Sequence, residues 1–275
     1  MKKVLLKIFL ISAILLILIG SFLVLFQDSF ILPAHYLPIG NEPVNENFKT
    51  VLLPSETGVL EVWKFSPKDS TSKKIAISFI GNGDILPRKN ILIPWLLRQG
   101  YTIYAFNYRG VGKSSGTLLE SGFYQDALKL VDYVSKEEHV DPQDIFITGY
   151  SFGTGFAFYT AQAIQAKRLL VLAPYLSIRD VVYDNWSKFL VPFVKTNIPS
   201  YENIQKLHNT CVVIAHGKKD TVIPYSHSKK LVDSYHGDGE VIFVSSDTAN
   251  HYNLINVLND DLVKAVKKCE NTINK

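Results

Sequence analysis

Cysteine and methionine are scarce: the 275 residues include two of the first and one of the second. Two thiols cannot build a disulfide-dense scaffold, and there is no CxxC pair or Cys/His cluster with zinc spacing, so no metal site is expected. Neither sign of charge dominates. Lys and Arg number 29 against 25 Asp and Glu, and apart from Lys2, Lys3 and Lys7 the chain carries a net charge of only +1. Such a body lacks the basic footprint that nucleic acid requires, so no nucleic-acid partner is expected. Internal repeats and low-complexity runs are missing too. What is present is apolar: 47% hydrophobic and 12% aromatic residues can bury a substantial core, which excludes disordered and collagen-like classes.

The longest apolar run, Ile8–Phe26, holds no charge in 19 residues. As a helix it would measure about 28.5 Å, close to the roughly 30 Å hydrocarbon thickness of a bilayer. It is longer than a signal-peptide core and leads into Gln27-Asp28-Ser29-Phe30 with no small-residue cleavage pattern. Lys2, Lys3 and Lys7 precede it, and no Lys or Arg follows until Lys49. The positive-inside bias therefore predicts a signal-anchor in residues 1–26, with the N-terminus cytoplasmic and the folded domain on the far side of the membrane. Outside the cytosol a disulfide is permissible. Yet Cys211 opens the apolar run CVVIA, and Cys269 continues a stripe through Ile255, Leu258, Leu262 and Val266, so both read as buried free thiols.

Residues 27–47, with Pro33, Pro38, Gly40 and Pro43, read as a linker. From 48 to 275, β-rich runs alternate with helical stretches. The runs are Val59–Phe65, Ile75–Ile80, Thr102–Asn107, Ile145–Thr148, Leu169–Ala173, Cys211–Ala215 and Val241–Ser245; helical patterns cover Ile91–Gln99, Gly122–Ser135, Phe152–Ala166, Ser226–Tyr235 and Leu254–Cys269. Several runs are solidly apolar, as strands covered on both faces are. The order predicts one α/β domain with a mostly parallel central sheet flanked by helices. Residues 175–207 interrupt the alternation for longer than one crossover helix needs, and read as a cap inserted over the sheet.

Gly149-Tyr150-Ser151-Phe152-Gly153 has the spelling G-x-S-x-G between a strand and a helix rich in small residues. That context describes a nucleophile elbow, a sharp turn that presents the Ser151 hydroxyl above a helix N-terminus. Gly112-Lys113-Ser114-Ser115-Gly116 has the same spelling, but no apolar helix follows it directly; it also fails the phosphate-binding patterns, since Asn107 stands where glycine is needed. It reads as a turn, and no nucleotide or other cofactor is implied.

A serine needs a base, and the base an orienting acid. In the order Ser, acid, His, Asp220 follows the strand at Cys211–Ala215 and His251 follows the one at Val241–Ser245. Asp247 is the reserve acid, and His216 stands at a strand end. Oxyanion donors are expected from the Phe152 amide and from the loop Gly81-Asn82-Gly83, with Asn82 first and Gly83 in reserve.

With these motifs in view the chain resembles the α/β-hydrolase superfamily, and within it the membrane-anchored serine hydrolases related to depalmitoylases. The resemblance runs from about Phe26 to Ile255 through LFQDSFILP, NYRGVGKSSG, GYSFG, HGKKDTVIP and NHYNL. Ile80-Gly81 departs from the family's usual His-Gly. It implies a hydrolase of carboxylic esters or thioesters acting through an acyl-enzyme. Trp186, Phe189 and Phe193 of the cap are candidate contacts for a lipid-like acyl group. The alternatives are a serine peptidase of the same fold and a non-catalytic membrane-tethered binding module. Asn185-Trp186-Ser187 also spells a glycosylation sequon.

Overall fold

The computed structural model describes residues 2–33, 48–56, 58–68, 74–86, 90–117 and 120–273; most of the expected linker lies outside them. The described elements are α1 (Lys2–Ile31), β1 (Phe48–Ser55), β2 (Gly58–Phe65), β3 (Ile75–Phe79), α2 (Leu92–Arg98), β4 (Thr102–Phe106), α3 (Glu120–Glu138), β5 (Phe146–Tyr150), α4 (Gly153–Ile164), β6 (Arg168–Leu172), α5 (Ile178–Asn185), α6 (Ser200–Ile204), β7 (Cys211–Gly217), α7 (Tyr225–Asp233), β8 (Val241–Ser246) and α8 (Leu254–Ile273).

The sheet order is β1-β2-β4-β3-β5-β6-β7-β8. β1 and β2 pair antiparallel with each other, as β2 does with β4, and every pairing from β4 to β8 is parallel. The central strands β3, β4, β5 and β7 are buried at every residue, which is why they are written in Ile, Val, Phe and Ala without alternation. β1, FKTVLLPS, escapes the sequence reading because it is an edge strand whose burial is irregular and whose Pro54 breaks the pattern. The expected cap contains α5, α6 and a 3₁₀ turn at Val191–Phe193.

NYRGVGKSSG is a structural turn. Asn107 accepts from the Leu86 amide and donates to the buried Glu61 carboxylate, both at 2.8 Å. Arg109 makes a two-bonded pair with Asp126 at 2.5 and 2.8 Å, both side chains almost wholly buried.

One expectation needs correction. The cysteines are not free thiols: Cys211 and Cys269 form a disulfide, with Cα atoms 5.6 Å apart. β7 and α8 each direct their cysteine into the same buried layer, a packing of distant segments that neither run of sequence discloses. Among the described residues no helix is long and apolar enough to cross a membrane. At six of the nineteen residues of Ile8–Phe26 (12, 13, 16, 17, 19 and 23) the side chains lie outside the description. The helical backbone of α1 is nonetheless continuous over that stretch and runs on to Ile31, five residues past Phe26.

The disulfide closes a segment with a sequence separation of 58, for which loop-closure entropy gives about 4 kcal/mol of stabilisation. Replacing both cysteines by alanine should lower the urea unfolding free energy by about that amount. An unchanged midpoint with and without dithiothreitol would contradict the bridge.

Candidate active site

Each candidate side chain lies beyond the carboxyl end of a parallel strand. After β5 the chain turns sharply through Ser151, whose φ of 51° is left-handed, before α4 begins at Gly153. The flanking glycines are required by contact. A Cβ on Gly149 would lie 2.8 Å from Ala157 Cβ and from the Gly153 carbonyl, and one on Gly153 would collide with the Phe79 carbonyl of β3. The strained serine is held by its own backbone, which donates to Leu172 O at 2.9 Å and accepts from the Thr154 amide at 2.9 Å.

His251 Nε2 lies 3.0 Å from Ser151 Oγ, and its Nδ1 lies 2.7 Å from Asp220 Oδ2. The carboxylate at Nδ1 selects the tautomer with its proton there, leaving Nε2 to accept from the serine hydroxyl. All three groups are buried, with the Asp220 side chain at 0% exposure. Asp220 Oδ1 accepts from the amides of Val222 and Ile223, both at 2.8 Å. Burial pushes the Asp220 pKa up, but hydrogen bonds from His216, His251 and the Ile223 amide outweigh it, and the carboxyl stays far below the usual range. The acid is therefore ionised at neutral pH. Asp247, the reserve, is instead on the surface in an ion pair with Lys218 at 2.6 Å.

The oxyanion candidates separate. Asn82 and Phe152 line one cavity with Ser151, whereas Gly83 does not. Asp84 accepts from the Gly81 amide at 2.8 Å, which fixes the turn. Among the described residues the amides of Asn82 and Phe152 have no protein acceptor, so they are available to an oxygen in the cavity. The cavity, about 300 Å³, is largely apolar. Of the three cap aromatics, Trp186 and Phe193 line it, while Phe189 points into solvent at 75% exposure.

Three contributions were not legible in the sequence. His216 is fully buried; its Nε2 donates to Ile223 O at 3.0 Å and lies 3.3 Å from Asp220 Oδ2, and its Nδ1 accepts from Ser228 Oγ at 2.6 Å. Tyr150 donates its hydroxyl to the His251 carbonyl at 3.0 Å, fixing the loop that carries the imidazole. Gln27 and Ile31 of α1 belong to the cavity wall. The HG preceding KKD was the available signal for His216; the others depend on contacts across 100 or more residues.

A serine on a strained strand-to-helix turn, over a parallel sheet with its imidazole and acid on later strands, defines a class of protein. The chain has the fold of the α/β-hydrolases and is similar to proteins of that superfamily. A family model described as "alpha/beta hydrolase fold" matches residues 78–174. Among curated relatives, the uncharacterized protein YfhR of Escherichia coli O157:H7 is 30% identical over 183 residues, 65% of this chain and 61% of that protein. Lysophosphatidylserine lipase ABHD12 of Danio rerio is 30% identical over 154 residues, 49% of this chain but only 39% of that protein. The Pyrococcus furiosus esterase Pf2001 superposes with a TM-score of 0.67 at 18% identity, over 84% of this chain and 94% of that one.

One titratable contact lies beside the site. His227 Nδ1 accepts from the Leu176 amide at 3.1 Å, so Nε2–H donates to Asp184 of α5 at 2.8 Å. Burial lowers the His227 pKa, against the opposing pull of Asp184. Below about pH 6.5 the unfolded chain takes up a proton that the folded one resists, so this contribution to stability is full above that pH and is lost on acidification. The urea midpoint should fall from pH 8 to pH 5, with a smaller slope in His227→Gln; an equal slope in the variant would contradict the assignment.

Proposed function

We propose that this chain is a membrane-anchored serine hydrolase that cleaves carboxylic esters or thioesters. The observation that carries the reading is the unbroken hydrogen-bonded series Ser151–His251–Asp220 opening onto an apolar cavity. Ser151 Oγ attacks the acyl carbonyl while His251 Nε2 takes its proton. Asp220 keeps the imidazole oriented and stabilises the imidazolium that forms. The Asn82 and Phe152 amides, with the N-terminus of α4 behind them, receive the oxyanion. His251 then returns the proton to the leaving oxygen or sulfur, giving an acyl-Ser151 ester and the free alcohol or thiol. Water, activated by the same imidazole, repeats the sequence and releases the acid. A lipase and an esterase among the similar proteins agree with an ester substrate, and the greasy cavity favours an acyl chain.

The anchor is part of the same proposal. It is supported by the uncharged stretch Ile8–Phe26, by the continuous helix through it, and by the exposure of its described large apolar side chains such as Ile8, Phe9, Leu15 and Leu18. The Cys211–Cys269 bridge is a second, independent argument for an oxidising compartment on the catalytic side.

A fluorophosphonate probe should label the wild-type protein and not Ser151→Ala. Absence of labelling would overturn the hydrolase reading. Turnover of p-nitrophenyl butyrate should fall on the order of 10⁶-fold in Ser151→Ala and about 10⁴-fold in Asp220→Asn. For topology, the protein should resist alkaline carbonate extraction from membranes. Both cysteines should remain unreactive to maleimide until a reductant is added; release by carbonate would contradict the anchor.

A further inference from the structure

The burial pattern along α1 is not uniform. Described side chains from residue 3 to 18 are all exposed, but beyond them Gly20 is buried and Val24, Gln27 and Ile31 are half-buried, while Ser21, Phe22, Leu25 and Phe26 stay exposed. Gly20, Val24, Gln27 and Ile31, spaced 4, 3 and 4 apart, form one face of the helix. The face is docked on the cap. At Gly20 the place of a Cβ lies 3.0 Å from the Phe193 ring, so the missing side chain lets the ring approach closely. Gln27 Oε1 accepts from the Lys195 amide at 2.8 Å, and its Nε2 donates to Val24 O at 3.0 Å. The amide of Gln27 is thus spent on clamping the cap segment 193–195 to the helix rather than on solvent.

The same face reaches the cavity, since Gln27 and Ile31 line it together with Ser151. Gly20 also sits six residues inside the expected outer edge of the span at Phe26, a depth of about 9 Å along the helix. Phe193 therefore lies at the level of the hydrocarbon, with Trp186 and Phe189, 65% and 75% exposed, on the same cap. Depths of roughly 5–10 Å are those reached by interfacial apolar segments, and aromatic side chains favour that layer.

We propose that α1 is part of the substrate site: Gln27 and Ile31 wall the acyl cavity, and the helix pins the cap so that an acyl chain enters from the adjoining bilayer leaflet without crossing water. The substrate class is accordingly a membrane-resident acyl ester or thioester, with its scissile carbonyl near the interface. This rests on the serine-hydrolase and anchor readings above. It makes the helix a determinant of chain-length specificity, a role a plain tether would not have.

The test uses the full chain reconstituted in phosphatidylcholine vesicles, with p-nitrophenyl palmitate in the bilayer and p-nitrophenyl butyrate in the water. Ile31→Trp should lower the palmitate-to-butyrate ratio of kcat/KM at least tenfold by filling the cavity, and Gln27→Ala should lower it by releasing the cap. Leu15→Trp, on the same helix away from the cavity, should leave the ratio unchanged. Labelling by a short-chain fluorophosphonate reports that each variant is folded. If wild type hydrolyses both esters and the ratio is insensitive to residues 27 and 31, or moves equally with residue 15, the inference fails and the hydrolase reading stands. If wild type neither hydrolyses nor labels, both fail.

Discussion

Parallel pairing from β4 through to β8 is the constraint on which everything else depends. It sends every one of those strands out of the sheet at the same edge, so loops separated by a hundred residues must meet there. Ser151, Asp220 and His251 leave β5, β7 and β8 respectively, and the registers of β5 with β6, β6 with β7 and β7 with β8 bring them into contact. The wholly buried central strands hold that edge rigid because each is covered on both faces.

Around the contact the protein arranges charge so that one carboxylate stays ionised in a dry place. Asp220 accepts two backbone amides on one oxygen and His251 Nδ1 on the other, with His216 Nε2 3.3 Å from the latter. An unpaired buried carboxylate would be costly, and this one is saturated. His216 has a supporting place in that set, bonded on both nitrogens and therefore fixed in ring orientation. Tyr150 and Asp84 do the same for the loop that carries His251 and the turn at Gly81, so backbone geometry on both sides of Ser151 is held by side-chain hydrogen bonds.

The cap is tied down from two directions. α5 is fastened to the body through Asp184 to His227 and Asn185 to the Val222 carbonyl, and the segment after the 3₁₀ turn is fastened to α1 through Gln27. The cavity is the space these ties leave open. Its walls come from the cap, the elbow and the helix, so its shape is a property of all three rather than of the sheet.

The sequence by itself determined the alternation of elements, seven of the eight strands and the elbow at Ser151. It did so because strand burial and glycine flanks are local and leave a periodic trace. It also ordered Asp220 and His251 correctly after their strands, since chain order survives folding. It misread Cys211 and Cys269, did not find the edge strand Phe48–Ser55, gave His216 no role and included Phe189 among the cavity residues. Those outcomes were decided only in three dimensions. A disulfide, a cavity wall and a second histidine on one carboxylate are relations between distant segments, and the apolar run of α1 looks alike on every face until a cap packs against one of them.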